Sequence, residues 1–419
     1  MIRPFTLFTL LLSLFAFHAS PSFAWHSILK DNVKSLEVMV NHDFMSLPVM
    51  QLRSRDVLTI SFDELSHNYH RFVYHLEPCN PDWTPVEGLF ESDWLEGFND
   101  QPIDNYENSL NTNVLYTHYQ LRLPNAQTRL RMSGNYRLYI LDEDDGNEEV
   151  ARVEFRVVEP LMNVGIGVTT NTDNDFQDAH QQVALTVNYN TVKVTNHAEQ
   201  LQVFVMQNGR EDNMKVHPRP NYITPQSLRW EHNRELIFEA GNEYGKFEVL
   251  DPSHISMGLA SVSWDEEQRR YHAYAYPRDI RRSYLYDEDA DGAFLLRNSD
   301  NYEAATTSEY VLVHYKQKAR YYDDARVIID GRWTTEDPET YVMDYDETDG
   351  TYNATILQKL GYYNYQLLLQ DYDGTTHLLP ETGSFYQTEN RYQALVYYKG
   401  TGERAWRLVG YQEILFRDN

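Results

Sequence analysis

Apolar and polar side chains alternate along many short stretches of this chain. In one of them, Val153, Phe155 and Val157 alternate with charged residues, and the segments 199–210 and 309–317 repeat the spacing. Successive side chains of a β-strand point to opposite faces of a sheet, so a period of two predicts strands with one buried face. Beyond the N-terminal apolar run, no stretch of a dozen residues shows the spacing of an amphipathic helix. The pattern therefore predicts an all-β protein.

Turn-forming residues interrupt this alternation at short intervals. Residues 136–157 predict two strands around the acidic turn Asp144–Asn147. Residues 350–375 predict two more strands, with a turn near Lys359–Gly361. Many short strands separated by Gly, Asn and Asp are typical of β-sandwiches.

Two changes in composition suggest where domains end. The stretch around Pro160 resembles a last strand followed by a short linker, and the polar stretch 297–310 precedes a fresh strand. We therefore predict three sandwich domains in tandem, at residues 25–160, 161–298 and 299–419.

The first 24 residues have the pattern of a secretory signal peptide. Arg3 precedes the apolar run Phe5–Phe17, and small residues at positions 22 and 24 predict cleavage between Ala24 and Trp25. The run is too short to span a membrane, and no later stretch reaches 18 apolar residues. The sequence thus predicts a cleaved signal peptide at residues 1–24 and an exported protein without direct membrane insertion.

Charge and cysteine content narrow the classes of partner and of site. The chain has 63 acidic and 36 basic residues, a formal net charge of −27, which repels phosphate backbones and argues against a nucleic-acid partner. This negative charge favours partners with basic surfaces.

Cys79 is the only cysteine, so it forms no internal disulfide. No base or further metal ligand is placed beside it, and we expect a buried structural thiol next to the turn that carries Trp83 into the sandwich.

No motif in the sequence requires a catalytic site or a cofactor. The chain lacks HExxH, GxSxG and phosphate-loop patterns. The stretch Asp287–Gly292 resembles the first half of an EF-hand loop, but Asn298 occupies the twelfth position, where that loop has Glu. It is interpreted as an acidic turn or as a loose Ca²⁺ site of Asp287, Asp289 and Asp291. We predict a protein that is not an enzyme.

The C-terminal third resembles the early-set, immunoglobulin-like sandwiches of glycogen-binding modules. A strand, a Gly-x-Trp turn, an acidic turn and a Gly-Tyr-Tyr-x-Tyr strand follow one another between residues 325 and 369. In such modules, exposed aromatic rings stack on sugars. Four side chains could form this platform or pack into the core: Trp333, Tyr341, Tyr363 and Tyr365. A periplasmic glycan-binding protein is therefore the alternative function.

Several uncommon motifs, taken together, resemble the periplasmic plug protein family of the type IX secretion system of Bacteroidetes. They are PCNPDW, LEGFND, NSLNTNVLYTHYQLRLPN and SGNYRLYI, then MQNGREDN and AGNEYGKFE, then QTENRYQALVYYKGTGERAWRLVG. The resemblance covers nearly all of the chain after the signal peptide. Where that family often has Arg-Tyr-Asp before its last Gly, this chain has Arg404-Ala405-Trp406-Arg407, so no role is assigned to that loop.

The resemblance implies a non-enzymatic function in the periplasm. A plug binds the periplasmic mouth of the outer-membrane translocon barrel, as a monomer in a one-to-one complex. It seals the pore when the lateral exit is occupied or no cargo is bound. Exposed loops are better candidates for partner contacts than strands. The candidate contacts are Glu91, Asp93 and Trp94 in the loop Glu91–Gly97, the loop Asp287–Gly292, and Trp333.

Overall fold

Residues 26–418, which the computed structural model describes, are nearly all β and form three two-layered sandwiches. The predicted all-β sandwich class is thereby confirmed. The predicted signal peptide, with its cleavage point between Ala24 and Trp25, lies outside the described residues.

The first sandwich is built from the N-terminal strands and one short helix. Its elements are β1 (His26–Ile28), β2 (Val33–Val40), β3 (Val49–Gln51), β4 (Leu58–Glu64), β5 (Phe72–Cys79), α1 (Glu91–Trp94), β6 (Leu95–Gly97), β7 (Gln101–Pro102), β8 (Tyr106–Asn108), β9 (Thr117–Leu123), β10 (Thr128–Leu130), β11 (Gly134–Asp142) and β12 (Glu148–Val158). One layer has the order β2-β4-β9-β8, and the other contains β12-β11-β5-β7 with β1 and β3 beside β12. The strands β11 and β12 pair around the acidic turn, as predicted.

The second sandwich begins directly after the first. Its elements are β13 (Asn163–Thr169), β14 (His180–Asn188), α2 (His197–Gln200), β15 (Leu201–Gln207), β16 (Lys215–Val216), β17 (Tyr222–Ile223), β18 (Ser227–Trp230), a 3-10 helix (Arg234–Leu236) and β19 (Ile237–Glu239). One layer has the order β13-β14-β18-β17, with β19 beside β14. Of the other layer, residues 163–239 supply only the paired strands β15 and β16, so this part of the chain does not complete the layer.

The third sandwich interrupts the second. Its elements are β20 (Gly245–Val249), β21 (Leu259–Asp265), β22 (Arg270–Ala275), β23 (Phe294–Leu296), α3 (Ala304–Thr307), β24 (Tyr310–Lys318), β25 (Ala325–Asp330), a 3-10 helix (Pro338–Tyr341), β26 (Asp344–Asp346), β27 (Thr351–Lys359), β28 (Gly361–Asp371), β29 (Thr376–Leu378) and a 3-10 helix (Pro380–Thr382). The layer β21-β22-β24-β27-β26 faces a layer in which β20, β23, β25 and β29 all pair with β28. The predicted strands β27 and β28 both exist, but they lie in opposite layers.

The last two strands return to the second sandwich. The hairpin β30 (Asn390–Tyr398) and β31 (Arg407–Phe416) adds to β15, and β31 meets β12 at Leu408 and Val158. One sheet therefore runs as β16-β15-β30-β31-β12-β11-β5-β7 through the first and second sandwiches. The predicted ranges 25–160, 161–298 and 299–419 remain a prediction about domains, and the strand pairing crosses the limit at 298.

A buried ion pair joins the first sandwich to the third. Asp63, at the end of β4, accepts hydrogen bonds at 2.6 Å from Lys359 Nζ and at 2.7 Å from the Tyr310 hydroxyl. Its other oxygen lies 2.7 Å from His118 Nδ1. Lys359 Nζ also donates to the carbonyl of Ala305 at 2.6 Å. Both side chains of the ion pair are shielded from solvent, so each compensates the desolvation of the other.

We predict that Lys359→Met destabilises the protein by about 3–5 kcal/mol, because it leaves the Asp63 carboxylate buried without its cation. The free energy of unfolding from urea titration, followed by tryptophan fluorescence, measures this loss. The control is Lys316→Met, which breaks the exposed pair with Asp349 and is expected to cost no more than about 1 kcal/mol. Equal losses in the two variants would contradict the prediction.

Glu37 is a second buried carboxyl at this junction. It accepts a hydrogen bond at 3.4 Å from the backbone N of Leu296 in the third sandwich. Burial raises its pKa to about 7, against an ordinary value of 4.5. The folded protein therefore holds a proton there that the unfolded chain releases at a lower pH. The stability associated with this proton is fully present below about pH 4.5 and is lost as the pH rises to about 7.

We predict that Glu37→Gln stabilises the protein at pH 8 by up to about 3 kcal/mol, since one pKa unit corresponds to about 1.4 kcal/mol. At pH 4 the variant and the native protein should differ little. Thermal melting at both pH values measures the effect, with the exposed Glu267→Gln as control. A gain of the same size at both pH values would show that the proton on Glu37 is not its cause.

Candidate partner-binding surface

Trp94, a predicted partner contact, packs inside the first sandwich. Only 5% of it is exposed, and its ring lies 5.9 Å from that of Tyr136. The flanking acids Glu91 and Asp93 are exposed, and Asp93 accepts a hydrogen bond at 3.0 Å from the backbone N of Phe90. The Trp94 ring therefore offers little surface to a partner. The exposed rings around this loop are instead Phe90 and Phe98, at 70% and 68%.

Trp333, the other tryptophan in that prediction, lies in the core of the third sandwich. It is 7% exposed, and its indole N–H donates to the carbonyl of Asn364 at 2.8 Å. The other three rings of the predicted sugar platform are equally buried: Tyr341, Tyr363 and Tyr365. Tyr363 and Tyr365 lie on the inner face of β28, whereas Trp333 lies in the turn after β25 and Tyr341 ends a 3-10 helix. The four rings pack against one another or against Tyr315. None of the four can stack on a sugar in this structure.

The three aspartates of the predicted Ca²⁺ loop do not converge on one point. Asp287 pairs with Lys246 at 2.6 Å, and Asp289 accepts hydrogen bonds from the backbone N atoms of Tyr244 and Asp291. Asp291 lies inward, with a carboxylate oxygen 3.3 Å from Nε of Arg391. Burial raises the pKa of Asp291 to about 6, although Arg391 opposes this shift. Each carboxylate serves a separate contact, so the acidic-turn interpretation fits the geometry better.

Cys79 is buried, as predicted. Burial raises the pKa of its thiol to about 12, so it carries no thiolate at neutral pH. His75 does not approach it as a base, because His75 Nδ1 lies 2.7 Å from Asp100 Oδ1. The thiol is structural.

The structure corrects the expected position of Trp83. Its ring does not enter the sandwich core but lies across the Arg156 guanidinium, 4.8 Å from the ring centroid. The Trp83 indole N–H donates to Glu211 at 3.2 Å, and Arg156 donates to the same carboxylate oxygen at 2.7 Å. Positive φ at Trp83 directs the side chain towards the second sandwich. This turn therefore joins two sandwiches.

The long connection between β22 and β23 carries the clearest candidate surface for a partner. It spans residues 276–293 without regular secondary structure, and loops of that length are usually functional. We call residues 276–286 the arginine–tyrosine segment. Four of its large apolar side chains are exposed: Tyr276 (62%), Ile280 (43%), Leu285 (63%) and Tyr286 (47%).

The main chain of the arginine–tyrosine segment is anchored to the third sandwich. Arg278 exchanges backbone hydrogen bonds of 2.9 Å with Lys316 and Lys318. The backbone N of Arg281 donates to the carbonyl of Glu381 at 2.8 Å, and the Tyr284 hydroxyl donates to Glu243 at 2.5 Å. These bonds hold the segment in place and leave its other side chains directed outwards.

The charge of this segment differs from that of the chain as a whole. Arg281 and Arg282 are exposed, and neither forms an ion pair within residues 26–418. Together with Arg278 they place three cations within five positions of a chain of net charge −27. Several of these side chains line one groove of about 450 Å³, namely Tyr276, Arg278, Ile280, Arg281 and Leu285. Arginine and tyrosine are enriched among the residues that dominate binding energy at protein interfaces.

Sequence reasoning missed this segment, although it selected the adjoining Asp287–Gly292 for its acids. The signal was present in YPRDIRRSYLY, which combines a local excess of arginine with tyrosines and lacks periodicity. Exposure of those tyrosines is not readable from the sequence, because tyrosine is common in both cores and surfaces.

The chain is similar to one protein family and to a solved structure of a related protein. Residues 33–159 match the model of the family described as Type 9 secretion system plug protein 1st domain. A hypothetical protein from Parabacteroides merdae ATCC 43184 is 32% identical in sequence to this chain. Its crystal structure at 2.30 Å resolution is similar to the fold described above, with a TM-score of 0.88. The similarity covers 93% of this chain and 99% of that one. No curated protein matches the chain. None of the helices within residues 26–418 is long and apolar enough to cross a membrane.

Proposed function

We propose that this chain, which belongs to the plug protein family of the type IX secretion system, binds the periplasmic mouth of the outer-membrane translocon. In this proposal it seals the translocon pore whenever the pore is not engaged in export. The observation that carries this proposal is the match of residues 33–159 to the first plug domain. The family is not a known enzyme family. We propose that the protein acts in the periplasm, as a monomer in a one-to-one complex with the translocon.

The way the sandwiches are joined supports a sealing function. A body that closes a wide pore has to resist deformation, and close-packed cores provide that resistance. The third sandwich is inserted into the second, and the shared sheet ties the second to the first. The pair Asp63–Lys359 ties the first to the third. Each sandwich is therefore joined to both others, so none can hinge away without breaking buried contacts.

The arginine–tyrosine segment is the proposed contact with the translocon. Exposed apolar rings beside unpaired arginines fit a partner surface that combines apolar area with carboxylates. Such a contact is weakened by salt, since exposed charges are screened within about 8 Å at physiological ionic strength. The glycan-binding alternative has no comparable support, because its four aromatic side chains are buried.

We expect the tagged protein, purified from cell envelopes in mild detergent, to bring along a large outer-membrane barrel. The double variant Arg281→Glu, Arg282→Glu should reduce the recovered barrel at least tenfold, because it replaces two unpaired cations with anions. The matched control is Arg269→Glu, Arg270→Glu, an adjacent arginine pair of the same sandwich, at the last residue of the β21–β22 turn and the first residue of β22.

This experiment tests translocon binding and the choice of the arginine–tyrosine segment as the binding surface independently. Native protein recovered without a barrel would argue against translocon binding itself. Equal recovery with both double variants, each with native melting behaviour, would leave binding intact but exclude the arginine–tyrosine segment as its surface.

Pore sealing has its own test. Deletion of the gene should admit large antibiotics and dyes across the outer membrane, because the pore is then open towards the periplasm. Uptake of a large fluorescent dye in deleted and complemented strains measures this leak. An unchanged barrier in the deleted strain would contradict sealing.

A further inference from the structure

Three potential metal ligands meet at one end of the first sandwich. His70 lies in the connection between β4 and β5, and Asp142 and Asp144 lie at the turn between β11 and β12. One ligand atom from each side chain lies within 4.8 Å of the others. His70 Nδ1 and Asp142 Oδ2 are 3.5 Å apart. Two ligands of a tetrahedral zinc ion are about 3.4 Å apart, so this pair already has that spacing.

The two aspartates each have one oxygen held by the protein and a second one available. The Asp142 oxygen Oδ1 accepts a hydrogen bond at 3.0 Å from the backbone N of Asp144, and its Oδ2 faces His70. The Asp144 oxygen Oδ2 accepts at 2.9 Å from the backbone N of Arg71, which leaves its Oδ1 available. Both carboxylates are therefore oriented before any ligand arrives.

His70 is oriented from the opposite side of its ring. Its Nε2 lies 3.2 Å from the Ser66 hydroxyl and 3.8 Å from Glu64 Oε2. The Ser66 hydroxyl donates its proton to Glu64 Oε2 at 2.6 Å, so it can only accept from the N–H of His70 Nε2, which leaves the lone pair on Nδ1. The Nδ1 lone pair would then face two carboxylates, which is unfavourable unless a cation lies between them. The backbone of His70 is fixed as well, since its N–H donates to the Tyr119 hydroxyl at 2.8 Å.

The surroundings leave room for an ion and supply few competing cations. The three side chains border a cavity of about 320 Å³ with Val33, Phe72 and Val150 among its walls. The nearby Lys30 is held by Asp145 and Glu148, and Arg71 is held by Glu143. Neither basic side chain forms an ion pair with Asp142 or Asp144 within the described part of the chain.

We propose that His70, Asp142 and Asp144 bind a divalent transition-metal ion, with Zn²⁺ as the preferred probe. One imidazole nitrogen and two carboxylate oxygens suit Zn²⁺ or Mn²⁺, whereas Ca²⁺ and Mg²⁺ prefer sets made of oxygen alone. Solvent completes the coordination. The ion would link the β4–β5 connection to the β11–β12 turn and so clamp this end of the sandwich.

The test uses the full exported protein, stripped with a chelator and titrated with Co²⁺ and then Zn²⁺. We expect one Co²⁺ per chain, with visible absorption bands that Zn²⁺ displaces, and at least tenfold weaker binding of Ca²⁺. The variants His70→Ala and Asp142→Asn should each weaken Zn²⁺ binding at least tenfold. Zn²⁺ should raise the melting temperature of the native protein but not that of the variants.

His75→Ala is the matched control, because His75 also lies beside an aspartate but belongs to no group of three potential ligands among residues 26–418. It should bind Zn²⁺ like the native protein. Melting of each metal-free variant shows that it is folded. Two outcomes would overturn the proposal: no saturable Zn²⁺ binding by the native protein, or binding that survives both His70→Ala and Asp142→Asn. In either case His70, Asp142 and Asp144 are neighbours at this end of the sandwich and not metal ligands.

Discussion

The backbone hydrogen bonds of the last hairpin determine how the rest of this protein is arranged. The strand β30 pairs with β15, almost 190 residues earlier in the chain, and β31 touches β12. Without that hairpin, one layer of the second sandwich would consist of β15 and β16 alone, with an unpaired edge. The third sandwich is held between these segments, so its position relative to the others follows from the same pairing. The buried Asp63–Lys359 pair then closes the contact from the opposite side.

This arrangement separates the aromatic residues into one group buried in the cores and another exposed on a loop. The rings of Trp94 and Trp333 fill cores and make the sandwiches stiff. The tyrosines of the arginine–tyrosine segment lie on an anchored but irregular connection, where they can contact a partner without weakening a core. A plug needs both properties, since it has to withstand load and yet bind at a surface. The likeness to the plug family and this division of the aromatic side chains support the same function.

The fold was predictable where the pattern is local. The hairpin of β11 and β12 follows from alternation on both sides of one acidic turn, because a short turn leaves the two strands as neighbours. The same reasoning identified β27 and β28 as strands but wrongly implied that they are neighbours in one sheet. The chain instead crosses at Leu360 from one layer to the other, where β27 pairs with β24 and β28 pairs with β20. For Tyr363 and Tyr365, alternation predicted that they share one side of their strand but not that this side is buried. The proposed metal ligands His70 and Asp142, which are far apart in sequence, carried no signal at all.

By itself, the sequence determined the β class, the absence of an internal disulfide and the acidic surface, because these depend on periodicity and composition along the chain. Only the tertiary structure decided that the C-terminal hairpin completes the second sandwich, and that His70 meets Asp142. Pairing between distant strands depends on which faces can be buried together, and many registers satisfy the same alternation. The burial of Lys359 beside Asp63 shows this most clearly, since neither residue is distinctive until the two sandwiches are packed.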